Sequence, residues 1–94
     1  MIVLNVTYRA DKEKLCAYLK AIREEGLDAA SRAEAGNIRY DFYFPADGGD
    51  ELLLMEKWRD EEAFEQHKAE PHFKRLGELK ESFGIETSMD IFSV

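Results

Sequence analysis

The sequence predicts an α+β domain: a four-stranded antiparallel sheet with helices packed on one of its faces. Three observations lead there. Four stretches, 2–8, 38–44, 51–58 and 85–92, carry the β-rich composition or two-residue alternation of strands, and helical patterns separate them. The order is strand, helix, strand, strand, helix pair, strand, and 94 residues make a single domain spanning residues 1–94. The two middle strands are joined by Pro45-Ala-Asp-Gly-Gly-Asp50, turn chemistry throughout, so they form a hairpin.

Ile2 to Tyr8 is rich in β-branched and aromatic residues. One face carries Ile2, Leu4, Val6 and Tyr8; the other carries Val3, Asn5 and Thr7. Asn5 is an amide in mid-strand, either exposed or lining a pocket. Asp11 caps the first helix, whose stripe runs through Leu15, Tyr18, Leu19, Ile22, Gly26 and Ala29. Gly26 marks a close approach, a kink or a break in it. Cys16 falls beside the stripe, as a half-buried inert thiol. Gly36 ends the helix as its left-handed residue. The second strand then sets Ile38, Tyr40, Phe42 and Phe44 against Arg39, Asp41 and Tyr43.

In the third strand Leu52 and Leu54 face one way, Leu53 and Met55 the other, so both faces need cover. Asp60 caps a short helix that stops near Ala69, because the residue before Pro71 avoids the α region. Pro71 opens the next helix, with Phe73, Leu76, Leu79, Lys80 and Phe83 inward and Gly84 as its stop. The last strand alternates Ile85, Thr87, Met89 and Ile91 against Glu86, Ser88, Asp90 and Phe92. This order is the ferredoxin-like arrangement. Helices cover one face only, and the apolar residues on the other predict a homodimer through the sheet faces.

Composition narrows the function. The chain is 45% hydrophobic and 35% charged with a net charge of −7 and no basic block, which argues against nucleic acid and anionic membranes as partners. No apolar run approaches ~20 residues, and no signal peptide opens the chain. The lone Cys16 fits a reducing, cytoplasmic compartment.

Glu34-x-Gly36, Tyr40, Glu56-x-Trp58, His67 and Pro71-His72-Phe73 together resemble the antibiotic biosynthesis monooxygenase family, small dimeric α+β barrel proteins. The resemblance implies one of several activities found in that family: cofactor-free oxygenation of quinols and aromatic polyketides, haem degradation, or isomerisation of phosphorylated autoinducers. The haem-degrading members use a first-strand Asn, a Trp on the helix after the third strand and a later His on iron. Asn5 matches the first, but His67 stands at the Trp position and Gly77 at the ligand position, so no haem is expected.

The expected function is therefore a cofactor-independent monooxygenase acting with O2 on a quinol or related aromatic small molecule. Such chemistry needs a base near neutrality, donors for the resulting anion and a dry aromatic pocket. His67 and His72 are the candidate bases. His67 ranks first, because it follows Ala63 and Phe64 at helical spacing and so lies over the sheet near Trp58. Asn5 and Tyr40 are candidate catalytic donors; Trp58, His72 and Phe73 are candidate substrate-binding residues. Each has a plain structural alternative in packing or capping. Glu56 is read as paired with an Arg or a backbone amide. No metal or other cofactor is expected, since no carboxylate or Cys stands in ligand register with the two histidines. The alternatives are a proton-transfer isomerase of a small, phosphorylated metabolite, marked by Arg or Lys beside His67, and a non-catalytic dimeric binding module.

Overall fold

The computed structural model describes residues 1–94. Eight elements follow in order: β1 (Ile2–Arg9), α1 (Lys12–Glu24), α2 (Leu27–Arg32), β2 (Asn37–Tyr43), β3 (Glu51–Trp58), α3 (Glu61–Lys68), α4 (Pro71–Phe83) and β4 (Glu86–Ser93). The sheet runs β2-β3-β1-β4, and every neighbouring pair is antiparallel. This is the expected ferredoxin-like α+β fold. No helix is long and apolar enough to cross a membrane.

Alternation decides what the sheet buries. Leu4, Val6 and Tyr8 of β1 and Leu52, Leu54, Glu56 and Trp58 of β3 lie beneath the helices, fully buried. Leu15, Tyr18 and Ile22 of α1 and Leu76 and Leu79 of α4 close that core from above. Tyr18 sits at its middle, edge-on to Tyr8 at 5.4 Å and to Phe83 at 5.8 Å.

At Gly26 the chain takes the break among the expected options: its φ of 69° is the left-handed conformation that closes α1 and opens α2. Three local expectations need correction. Gly36 does not have a positive φ. Its glycine is required by packing: a Cβ there would collide with the Cβ of Ala63 on α3. The Arg59 N–H donates to the Gly36 carbonyl at 2.8 Å, so the loop before β2 is tied to the start of α3. Ile38, expected inward, is exposed, because the β2–β3 register shifts between Asn37 and Arg39 and leaves Ile38 as the extra residue of a bulge. Cys16 is also exposed rather than half-buried.

Two networks hold the helices in place. Arg32 of α2 donates from Nε to the Tyr40 carbonyl at 2.8 Å and from a terminal nitrogen to Asp28 Oδ2 at 3.1 Å, which fixes α2 against β2. Asp60 Oδ1 accepts from the Ala63 N–H at 2.8 Å, the expected cap of α3, and Pro71 takes the first position of α4.

The Gly36–Ala63 contact can be tested directly. Gly36→Ala should lower unfolding free energy by ~1–3 kcal/mol through overpacking. Gly77→Ala, in the interior of α4 with no atom near the added methyl, should raise it by up to ~1 kcal/mol. Chemical denaturation of both variants measures the contrast, and equal effects would remove the steric account of Gly36.

Candidate active site

Three segments meet under α3 and α4. The loop between α2 and β2 supplies Glu34, α3 supplies His67, and the first turn of α4 supplies His72. Glu34 Oε2 lies 2.6 Å from His67 Nδ1 and 2.8 Å from His72 Nε2. A carboxylate only accepts, so both nitrogens carry hydrogen and donate to it. In the neutral imidazole of His67 the proton then resides on Nδ1, leaving Nε2 as a free acceptor. That nitrogen is 3.9 Å from Glu56 Oε1.

His67 is buried at 2% exposure. Its ring packs on Trp58 at 4.4 Å and meets the Phe73 edge at 5.2 Å. Burial pushes its pKa below the usual 6.5, while the hydrogen bond and charge of Glu34 pull it back up. The imidazole is therefore neutral at pH 7, the state a base requires.

Glu56 is buried without an Arg or backbone partner; its donor is the Trp58 indole, with Nε1 3.0 Å from Oε1. That corrects the sequence expectation, and the reason is geometric. Positions 56 and 58 share the inner face of β3, so carboxyl and indole stand side by side. Burial raises the Glu56 pKa to about 7, against a lowering by the Trp58 hydrogen bond and a further rise from the Glu34 charge.

Beside these groups lies an inner cavity of about 200 Å³, bordered by Tyr8, Tyr18, Tyr40, Glu56, His67 and Phe73 among others. An outer cavity of about 160 Å³ adjoins it and shares Tyr8, Glu56, Phe73 and Lys80 as walls. Together they exceed the ~300 Å³ at which small-molecule sites begin. A wider hollow of about 510 Å³ around Arg9, Lys14 and Glu51 is a charged surface depression remote from the histidines.

The sequence candidates divide accordingly. His67, Tyr40 and Phe73 border the inner cavity, with Tyr40 buried and Phe73 39% exposed at the rim. Burial drives the Tyr40 hydroxyl pKa far upward, so it stays protonated and able to donate. Trp58 and His72 stand one layer behind, Trp58 against the His67 ring and His72 on Glu34. Asn5 is not brought to His67. It projects from the opposite face of the sheet, as the two-residue alternation of β1 requires, into a hollow with Leu53 and Met55 where its Oδ1 is buried without a partner.

Spacing alone missed Glu34, which reaches the histidines across 33 and 38 residues. Glu34, His67 and His72 each offer one metal-ligand atom, all within 4.8 Å of one another. Tetrahedral zinc holds its ligands about 3.3 Å apart. Here the oxygen stands at hydrogen-bond distance from both nitrogens, the geometry of a carboxylate accepting two N–H groups.

The raised pKa of Glu56 has a definite sign in stability. Folding favours its protonated form, so that contribution is complete below the ordinary 4.5 and is lost as pH rises through about 7. His67, with a depressed value, has the opposite sign, losing its contribution as pH falls, and it is present in both proteins compared. Glu56→Gln, which mimics the protonated acid, should therefore gain stability relative to the parent protein between pH 5 and pH 8. Denaturant titrations at the two pH values read this directly; a difference that does not change with pH would place the titration outside that window.

A model of the family described as antibiotic biosynthesis monooxygenase matches residues 1–79. The Bacillus subtilis (strain 168) protein named "Putative monooxygenase YcnE" is 34% identical over 74 residues, covering 79% of this chain and 76% of that protein. The Mycobacterium tuberculosis protein named "Putative monooxygenase Rv0793" is 43% identical over 59 residues, 58% of this chain and 57% of its own. Among solved structures, PA3566 from Pseudomonas aeruginosa has a TM-score of 0.80 over 99% of this chain and 92% of that chain, at 28% identity.

Proposed function

This chain belongs to the antibiotic biosynthesis monooxygenase family, and on that premise we propose that it is a cofactor-independent monooxygenase of a quinol or related hydroxylated aromatic, with His67 as general base. The observation that carries this reading is the free Nε2 of the buried His67. Glu34 holds the proton on Nδ1, so Nε2 is left to accept, beside a cavity walled by tyrosines and Phe73.

The chemistry follows from that arrangement. The substrate hydroxyl gives its proton to His67 Nε2, and Glu34 stabilises the imidazolium. The electron-rich anion passes one electron to O2, and the resulting radical and superoxide combine at a ring carbon bearing hydrogen. The hydroperoxide takes back a proton and loses water, leaving one oxygen atom on the ring. For a 1,4-diol the product is a hydroxyquinone, and the diol itself supplies all four electrons that reduce O2. Glu56 supports the first step when protonated. A substrate oxygen can sit ~2.8 Å from both Glu56 Oε1 and His67 Nε2 across their 3.9 Å gap. Burial of the pocket strengthens each of these contacts.

An isomerase of a phosphorylated metabolite would need several cations around the base. The inner cavity has Lys80 alone and is otherwise aromatic and aliphatic apart from Glu56 and His67, which favours the oxygenase.

We also propose that two copies pair through their outer sheet faces. Val3, Leu53, Met55 and Phe92 lie on the face that no helix covers, around the orphan Asn5 Oδ1. Light scattering at micromolar concentration should return the mass of two chains, with an interface above ~1,200 Å². Leu53→Asp should shift it to one chain, and a monomeric parent protein would rule the pairing out.

The base is tested on dihydroxynaphthalene under air. His67 is buried rather than on a pocket rim, so His67→Gln, which nearly keeps the volume, is the safer substitution. It should lower kcat by ~10²-fold or more while near-ultraviolet circular dichroism is retained. Turnover at the parent rate would remove His67 from the mechanism.

A further inference from the structure

The two adjoining cavities differ in charge. In the inner one, tyrosines, Phe73, Leu54 and Leu76 surround His67 and Glu56. The outer one is bordered by two lysines, Lys68 and Lys80, against the single carboxyl of Glu56. That carboxyl is already turned to the Trp58 indole and His67. The molecule as a whole carries −7. A lone anionic ligand is repelled by such a protein at long range, so a cavity bordered by two lysines is a local reversal of its field.

We propose that the substrate is an aromatic acid: a hydroxylated ring seated in the inner cavity, with an anionic oxygen group, carboxylate or sulfonate, held in the outer cavity between Lys68 and Lys80. This deepens the monooxygenase reading and rests on it for the placement of the ring.

Both lysines are available. Lys80 is half-buried, borders both cavities and has no carboxylate within salt-bridge distance. Lys68 is held over the Phe64 ring at 4.8 Å and pairs with Glu65 at 2.7 Å. The latter is an exposed pair three residues apart, the kind that contributes little and gives way to a better anion. Val6, Tyr8 and Phe73 give the outer cavity apolar wall against which a ring or short hydrocarbon spacer can pack. Lys68 borders only the outer cavity and His67 only the inner one, so an anionic group drawn toward Lys68 leaves the hydroxyl end of the ring for His67.

Calorimetric titration with 2-naphthol and 6-hydroxy-2-naphthoate, whose hydroxyl and carboxylate lie at opposite ends of one ring system, tests this without turnover. The acid should bind about tenfold tighter than the naphthol at low salt, and the preference should shrink as salt is added. Lys68→Met, which changes a wall of the outer cavity only, should weaken the preference and leave 2-naphthol binding unchanged, which also establishes that the variant is folded; the double variant Lys68→Met/Lys80→Met should remove the preference. Equal affinity for the two compounds, failure to bind either, or a preference that survives in the double variant would overturn the proposal. Loss of the charge preference leaves the role of His67 standing, and a His67→Gln protein that retained turnover would leave the charge preference standing.

Discussion

One carboxylate oxygen organises the functional end of this protein. Glu34 Oε2 accepts from two imidazoles that arrive on different helices. Leaving any of these three groups unpaired in a nearly water-free setting would be costly, so each restrains the other two. The consequence reaches past stability. Because Oε2 cannot donate, it dictates which nitrogen of His67 keeps its hydrogen, and so which one is left to accept. The break at Ala69–Pro71 turns the chain so that a second histidine returns to the same oxygen. The missing side chain of Gly36 lets the loop carrying Glu34 lie against Ala63, one helical turn before His67.

Glu56 is the complementary compromise. A buried acid without a cationic partner costs stability, and the indole N–H of Trp58 offsets only part of that. The remainder appears as a carboxyl poised near neutrality, beside an imidazole whose proton position is already set. A carboxyl that exchanges its proton near pH 7 beside a neutral imidazole is an unusual use of a small core, and the two sit where the aromatic walls converge.

Much of the fold was legible because its signals are local. Period-two alternation in β1 and β3, the turn at 45–50, the cap at Asp60 and the proline at 71 each act within a few residues. The orientation of His67 followed from the same cap. What escaped was non-local. Gly36 resembles a helix terminator until Ala63 is seen against it, and Ile38 fits an inward stripe until the bulge in β2 turns it out. Glu34 meets its histidines only through the tertiary fold, as Lys80 meets the outer cavity. Asn5 was placed on the far face by its own alternation, so its separation from His67 could have been read from the strand alone.

The sheet order also governs how the protein is made. The central strand β1 pairs on one side with β3 and on the other with β4, and the second ladder runs from Ile2↔Ser93 to Arg9↔Glu86. Almost the whole chain must therefore be synthesised before one edge of the first strand is covered. Loop closure over that distance is entropically expensive and slow. During that interval the nascent chain presents an unpaired β1 edge, a template for mispairing with its neighbours on the same messenger. Residence time on the ribosome is thus the period of greatest exposure, and the arrival of β4 ends it.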